Sequence, residues 1–414
     1  MAYEPRLTDG APLLEPHHLW YAALAVISVA AGAGLLFGKP FIIFGIIGIA
    51  FLAIMLIYYP FMGALAYVVF EYARVSAMFP DLQALQFGKL IVMSTLITFL
   101  IHYAFLRNTK IVFDKVYVLF LMWLGIALMS MTFAMDTQVA FDASIDLTKM
   151  FVICFLLINL VDTIAKLQAF IWVFLLLNFK LAQFQIRSFA AGLASASDTS
   201  HFIREGIGAG SGGFFANGND FGIAMVVVVP IAFYLLLTVK SKILKVIAAL
   251  MTSGFVIALL RSGSRGAALG LAVAAALYWA RSRNKLVSFI AVIAFALSFW
   301  AIASDPWKDR FISAKNYDED PTAVSRITLW KGGIAMFADH PMTGVGLDNS
   351  HIAWSRQYNV TGVRGASACH NIFIQAASEL GIGGLAVLIA LLVLIFQRNR
   401  EDRKSTRLNS SHRL

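Results

Sequence analysis

The chain alternates between long apolar runs and short polar breaks. About twelve runs approach the roughly 17–25 residues with which a helix crosses a bilayer, and they lack the alternation of membrane strands. Backbone polar groups in hydrocarbon need internal partners, so the pattern predicts an all-α polytopic membrane protein. The short third run can also belong to a helix that bends at Pro60. The predicted spans are residues 19–37, 40–58, 61–73, 88–106, 115–133, 146–161, 167–182, 220–238, 243–260, 266–280, 286–303 and 372–397.

The polar breaks predict the domain organisation. Residues 1–303 hold predicted transmembrane helices 1–11, residues 304–371 form a long polar segment, residues 372–397 form the last transmembrane helix and residues 398–414 form a tail. Apolar positions recur with helical spacing from Arg326 to Phe337, and a turn-rich run follows from Asp339 to Asp348. The polar segment is therefore predicted to be partly helical.

Composition supports a membrane protein. Hydrophobic residues make up 59% of the chain and charged residues 14%, against about 25% charged in a typical soluble domain. The two cysteines, Cys154 and Cys369, imply no disulfide framework. Residues 1–18 lack the basic start and short apolar core of a signal peptide, so we expect the first span to be an uncleaved anchor.

Loop charge predicts the orientation, because cytoplasmic loops carry an excess of Lys and Arg. This rule puts both termini in the cytoplasm. It puts four regions on the opposite, external side: the acidic loop 136–146, the Gly/Ser-rich connection 183–219, the turn 261–266 and the segment 304–371. The residues that fix this orientation are Arg107, Lys110, Lys115, Lys166, Lys240, Lys242, Lys245, Arg281, Arg283, Lys285, Arg398, Arg400, Arg403 and Lys404.

Arginines on the predicted external side break the charge trend. Arg261 and Arg265 lie at span ends, and Arg187 and Arg204 lie in the 183–219 connection. A guanidinium matches phosphate oxygens in bidentate geometry, and a helix start at Arg265 would add a partial positive charge. Arg261 and Arg265 are therefore candidates for binding a lipid-linked phosphate or pyrophosphate. The alternatives are snorkelling to lipid headgroups and a structural ion pair.

His370 stands where the polar segment meets the last predicted span. An unperturbed imidazole has a pKa of about 6.5, which suits a general base. In the helical run that follows, Ile374, Ala377 and Gly381 are expected to share its face. The alternative is that His370 only caps a helix or serves a structural role.

Glu379 lies about two turns inside that span, where a carboxylate needs a partner. We expect an arginine from another span, together with Gln375 at the i, i+4 position. Asn217 and Asn219 open another span, either as helix N-caps or as contacts to a sugar or phosphate.

The acidic run 318–320 is interpreted as a solvated turn, so no metal and no other cofactor is expected. The aromatic residues of segment 304–371 can anchor it at the membrane interface or form platforms for sugar rings.

Three pieces of this sequence together resemble the O-antigen ligase family, which shares a domain with O-antigen polymerases and bacterial protein O-oligosaccharyltransferases. The first is Ser264-Arg265-Gly266. The second is Arg326 and Trp330, followed by His340-Pro341 with Gly344 and Gly346. The third, His370-Asn371, nine residues and then Gly381-Ile382-Gly383-Gly384, looks like the ligase pattern of His, a small polar residue, nine positions and Gly-x-x-Gly. The resemblance covers roughly residues 180–390.

The resemblance implies a C-type glycosyltransferase fold in the bacterial inner membrane, with its active site facing the periplasm. Such a ligase moves a finished O-antigen chain from undecaprenyl pyrophosphate to a sugar hydroxyl of lipid A-core, without nucleotide sugar, ATP or metal. The family's catalytic histidine corresponds to His370, and its essential arginines correspond to Arg265 and to Arg187 or Arg204. Asn371, Glu379, Arg326, Trp330 and His340 are expected around the site.

Alternative functions remain at this stage. An O-antigen polymerase or a protein O-oligosaccharyltransferase would differ only in the acceptor. A transporter of lipid-linked sugars would carry its ionisable residues near the bilayer midplane, often in repeated halves, and no half-repeat is visible here. The expected partners are the lipid-linked donor, lipid A-core and membrane lipids, with no nucleic acid.

Overall fold

A computed structural model describes residues 58–73, 87–106, 111–195, 218–282, 284–302, 308, 321–359 and 369–411. Every regular element within these ranges is helical, and none of them contains a strand. Seven helices in this part of the chain are long and apolar enough to cross a membrane. The predicted all-α membrane fold is therefore confirmed. The count of about twelve spans stays a prediction, and spans 19–37 and 40–58 lie almost entirely outside the described residues.

The helices are numbered here in chain order. They are α1 Pro60–Ala73, α2 Phe87–Ile101 with a π-helical extension His102–Leu106, α3 Lys115–Ser130, α4 Thr137–Leu160, α5 Ile164–Ser195, α6 Gly218–Thr238, α7 Lys242–Arg261, α8 Arg265–Arg281, α9 Lys285–Ile302, α10 Pro321–Asp339, α11 Ser350–Ala353 with a π-helical extension Trp354–Tyr358, and α12 Ile372–Ser411. The predicted helical stretch from Arg326 to Phe337 is confirmed as part of α10.

Two predicted loops are wrong in their extent. Residues 137–146 belong to α4, because the Asp136 carboxylate caps that helix and accepts from the backbone N–H groups of Gln138 and Val139 at 3.1 and 3.3 Å. The 183–219 connection begins later than predicted, because α5 continues to Ser195. Gln185 is buried on this continuation, so packing extends the helix past the predicted end.

The chain forms two compact units. The first unit comprises Met1–Pro60, Val92–Val161 and Asn316–Leu414, and the second comprises Phe61–Ile91 and Asp162–Lys315. His370 belongs to the first unit, and Arg261 and Arg265 belong to the second. Each unit has its own packing and is described by itself.

In the first unit, α3 packs antiparallel against α12. At one end Asp114, which caps α3, accepts a charge-assisted hydrogen bond of 2.6 Å from Arg398. At the other end, Met135 donates its backbone N–H to the Val345 carbonyl at 3.0 Å. The turn that follows α10 is therefore held against the C-terminal end of α3.

In the second unit, the core lies between α5, α6, α7 and α8. Its largest fully buried hydrophobic side chains are Leu175, Phe221, Met225, Met251, Phe255 and Leu259. Aliphatic and aromatic side chains interlock there, as in soluble cores, because van der Waals packing drives helix association in a bilayer.

Candidate active site

Helix α12 is broken at Gly381. This residue has φ 65° and ψ −161°, a backbone conformation that is essentially restricted to glycine. A Cβ at Gly381 would lie 2.5 Å from the Met342 carbonyl oxygen. Residues 372–380 therefore form a separate half-helix, called here the His370 half-helix because it follows that histidine. The prediction that Gly381 continues the helical face of His370 is wrong.

The turn of residues 340–350 fills this break. Val345 donates its backbone N–H to the Ser378 carbonyl at 2.8 Å, and Gly346 donates to the Glu379 carbonyl at 3.0 Å. On the far side, Ile382 donates to the Pro341 carbonyl at 2.8 Å. The turn thus pairs with backbone groups that the broken helix leaves open, as buried backbone requires.

The glycine spacing in this turn has a steric cause. Gly344 and Gly346 have φ of 65° and 104°, in the left-handed region that favours glycine. A Cβ at Gly344 would collide with the backbone of Glu379, and one at Gly346 would lie 2.5 Å from the Cβ of Ala134. The two glycines let the turn approach α12 and the end of α3 at backbone distance.

Glu379 lies inside this junction and is 4% exposed. Its carboxylate accepts from the Asp348 backbone N–H at 3.0 Å, the Ser350 hydroxyl at 2.6 Å and the Gln375 amide at 3.1 Å. The predicted pair with Gln375 is confirmed. The partners of Glu379 among the described residues are neutral donors, two of them from the inserted turn, and an arginine partner stays a prediction.

Asn371 caps the His370 half-helix. Its side-chain oxygen accepts from the backbone N–H groups of Phe373 and Ile374 at 3.0 and 3.3 Å. Helix capping is therefore the work of Asn371 and not of His370. His370 is exposed and has φ 51°, a left-handed conformation that costs a non-glycine residue on the order of 1–3 kcal/mol. Strained residues of this kind cluster at functional sites.

The buried side chain of Cys369 anchors the residue before His370 against α10. Its side chain is buried against Gly333 of α10, where a Cβ would lie 3.0 Å from the sulfur. Burial raises the pKa of the Cys369 thiol, and the nearby Glu379 charge adds to that rise. The thiol therefore stays protonated at neutral pH and is a poor nucleophile. Its neighbour His370 is the better candidate for proton transfer.

The other predicted residues of this unit lie on α10 and the turn after it. Arg326 and Trp330 are half-buried on α10, and His340 follows the end of that helix. The indole N–H of Trp330 is buried without a hydrogen-bond partner. Trp354 lies against Gly332, where any side chain would meet its ring. Trp354 therefore packs directly against α10.

The second unit positions the candidate arginines. Arg265 is the first residue of α8, as predicted, and Ser264 caps that helix by accepting from the Ala267 N–H at 3.2 Å. Arg261 ends α7, one short turn earlier. Gly222 of α6 packs against this turn, since a Cβ there would lie 2.9 Å from the Ser262 hydroxyl.

The remaining predicted contacts are only partly described. Asn219 is the second residue of α6, so it is not the N-cap of that helix. Arg187 is exposed on α5 and not in a loop. Arg204, Asn217 and the acidic run 318–320 lie outside the described residues. Within the described ranges, no group of three His, Cys, Asp or Glu side chains has the arrangement of a metal site.

Sequence reasoning missed Asp348 and Ser350, the two residues of the turn that bind the Glu379 carboxylate. Asp348 is also left-handed, with φ 56°. The paired glycines before it were the available signal, because they indicate a turn that approaches another backbone closely.

Residues 249–389 match the family model for O-antigen ligase. This match supports an assignment of that domain to the O-antigen ligase family. The match covers about a third of the chain and includes Arg261, Arg265, His340, His370 and Glu379. It supports a glycosyltransferase-like enzyme of the O-antigen ligase or polymerase type that acts on lipid-linked polysaccharides. Searches among curated proteins and solved structures gave no match.

Proposed function

We propose that this chain is an O-antigen ligase, which transfers O-antigen polysaccharide from undecaprenyl pyrophosphate to lipid A-core. The observation that carries the proposal is the state of His370 within the matched domain. His370 is exposed, has a left-handed backbone and lies within the matched residues. Its neighbour Asn371 caps the helix, so a capping role does not account for His370. An imidazole in this setting is free to exchange a proton with a substrate hydroxyl.

His370 acts as the general base in this mechanism. Its neutral imidazole accepts the proton of the acceptor hydroxyl while that oxygen attacks the anomeric carbon of the donor. The new glycosidic bond forms as the bond from the anomeric carbon to the pyrophosphate oxygen breaks. A single displacement of this kind inverts the anomeric centre.

Arginines stabilise the leaving group. Negative charge grows on the pyrophosphate in the transition state, so fixed cations there lower the barrier more than they stabilise the bound donor. Arg265 and Arg261 flank the turn between α7 and α8 and are the first candidates for this role. Arg187 or Arg204 supplies a further contact. No step of this mechanism uses a metal ion or another cofactor.

The wider setting of the proposal is the bacterial inner membrane, with about twelve spans in a C-type glycosyltransferase arrangement. Both termini lie in the cytoplasm, and segment 304–371 faces the periplasm, where the lipid-linked donor and lipid A-core meet. The support is the basic charge of the short loops on the opposite side.

A two-substrate assay tests this function. The purified protein is incubated with lipid-linked O-antigen and with lipid A-core, with and without a metal chelator, and the products are separated by size. We expect a covalent product in both samples. Failure to form the product with both lipids present, in preparations that bind the donor, would contradict the proposal.

An acceptor panel separates the remaining alternatives. Chain growth on a second lipid-linked repeat would indicate a polymerase, and glycosylation of a protein would indicate a protein O-oligosaccharyltransferase. Movement of the lipid-linked donor across a vesicle membrane without any covalent product would indicate a transporter.

A further inference from the structure

We propose that Glu379 is a positioning residue for His370. Through its three hydrogen bonds, its buried carboxylate fixes the His370 half-helix to the turn 340–350. This inference rests on the proposed function, because it takes His370 to be the base.

The His370 half-helix needs tertiary contacts to fix its orientation, because the break at Gly381 separates it from the rest of α12. Its nine residues end at Gly381, whose backbone is non-helical, so its direction is not inherited from the long remainder of α12. A helix this short is not stable on its own in water, and tertiary contacts must set its orientation. One such contact comes from α10, where Ile374 packs against Gly333.

Glu379 is placed to supply the decisive contact. Val345 and Gly346 donate their backbone N–H groups to the half-helix at 2.8 and 3.0 Å, and these bonds hold the middle of the turn. Among the side chains of the half-helix, Glu379 alone accepts hydrogen bonds from the end of the turn, from Asp348 and Ser350. Its third bond, to Gln375, returns to the half-helix one turn nearer His370.

The chemistry of the junction depends on the acceptor being a carboxylate. All three partners donate, so two oxygens without a proton satisfy them together. Loss of the carboxylate leaves the buried Ser350 hydroxyl without this acceptor, which is costly for a buried donor, and it also removes the acceptor of the Asp348 N–H. Asp348 would also lose a bond that holds its left-handed backbone. The turn and the half-helix would then shift relative to each other.

The expected consequence is a loss of turnover with little loss of donor binding. A displacement of about 1 Å in a catalytic group can cost about a hundredfold in rate. The candidate pyrophosphate ligands Arg261 and Arg265 belong to the other compact unit, so the substitution changes neither their helices nor their charge. KM for the lipid-linked donor should therefore stay near its wild-type value.

The test compares Glu379→Ala, Glu379→Gln and Ser350→Ala in the full chain, with Asp142→Asn as the matched control. Asp142 is an exposed carboxylate of α4 in the same unit, and its bonds run only to Gln138. We expect Glu379→Ala to lower kcat about a hundredfold, with KM for the donor changed less than about twofold. Glu379→Gln keeps the shape but replaces one acceptor oxygen with a donating NH2 group, so it should lower kcat to a value that lies between those of the wild type and Glu379→Ala. Ser350→Ala should lower kcat by a smaller factor, again at unchanged KM.

The rates are normalised to the fraction of protein that binds lipid-linked donor. A purely structural role would lower that fraction and leave the turnover of the remaining molecules unchanged, which would overturn the proposal. So would wild-type kcat in Glu379→Ala. If that variant does not fold, Glu379→Gln and Ser350→Ala decide, and wild-type kcat in both overturns it. His370→Ala in the same assay distinguishes the general-base role of His370 from the positioning role of Glu379. Wild-type activity in His370→Ala would refute the general-base role, whatever result the Glu379 variants give.

Discussion

At the start of α12, Asn371 caps the helix and the preceding residue His370 does not. The Asn371 side chain accepts hydrogen bonds from the N–H groups of the first helical turn. His370 adopts a left-handed backbone, which histidine tolerates better than most non-glycine residues. The exposed imidazole therefore stands just outside the helix, next to the buried anchor Cys369. This arrangement favours a chemical role over a structural one.

The break in α12 depends on a single residue, Gly381. We expect Gly381→Ala to lower the free energy of unfolding by at least about 1–3 kcal/mol, because its backbone is one that only glycine adopts without strain. The added Cβ would also press on the Met342 carbonyl. The measurement is the thermal unfolding midpoint of the purified protein in detergent.

Gly125→Ala is the control for this substitution. Gly125 lies within α3, and a Cβ there meets nothing within 4 Å. Alanine is the better helix former, so this variant should melt at the wild-type temperature or slightly above it. Equal midpoints for Gly381→Ala and the wild type would refute the steric account of the break.

Among the elements, the His370 half-helix depends most on its cap. We expect Asn371→Ala to destabilise the protein by about 1 kcal/mol, because the N–H groups of Phe373 and Ile374 lose their acceptor. Asn371→Asp should retain wild-type stability, since aspartate caps equally well and suits the positive helix N-terminus. Thermal unfolding of the two variants side by side is the check. An Asp variant as unstable as the Ala variant would show that Asn371 stabilises by some other contact.

Elements were predictable from sequence where local signals decide them. The apolar runs gave α3, α6, α7, α8 and α9 to within a few residues, because a membrane helix satisfies its own backbone. The helix start predicted at Arg265 is confirmed. The extents of α4 and α5 were misjudged, because a capping aspartate and a buried amide extend helices through polar sequence.

The geometry of the candidate site was predictable only in part. His370 and the glycines of the turn were found by their spacing. The break at Gly381 was missed because a glycine within an apolar run also suits ordinary helix packing. The partners of Glu379 were missed because they come from residues about 30 positions away, and no local pattern reports such contacts.

For the whole molecule, the central prediction is its orientation in the membrane. In a background with Cys154 and Cys369 replaced by alanine, we expect Gly208→Cys to react with a membrane-impermeant thiol reagent from outside the inner membrane. Arg283→Cys should react only after the membrane is opened, because basic loops stay in the cytoplasm. Labelling of intact spheroplasts followed by a mass-shift gel is the measurement. External reaction at position 283 would overturn the topology and the periplasmic active site with it.

The most direct test of the account is the ligation rate of His370→Asn. Asparagine also tolerates the left-handed backbone, so the variant should fold and bind donor like the wild type. It has no imidazole, and the loss of a general base is expected to lower the rate about 10²–10⁴-fold. His351→Asn is the control, a histidine of α11 in the same unit with no assigned role. A wild-type ligation rate in folded His370→Asn would contradict the account.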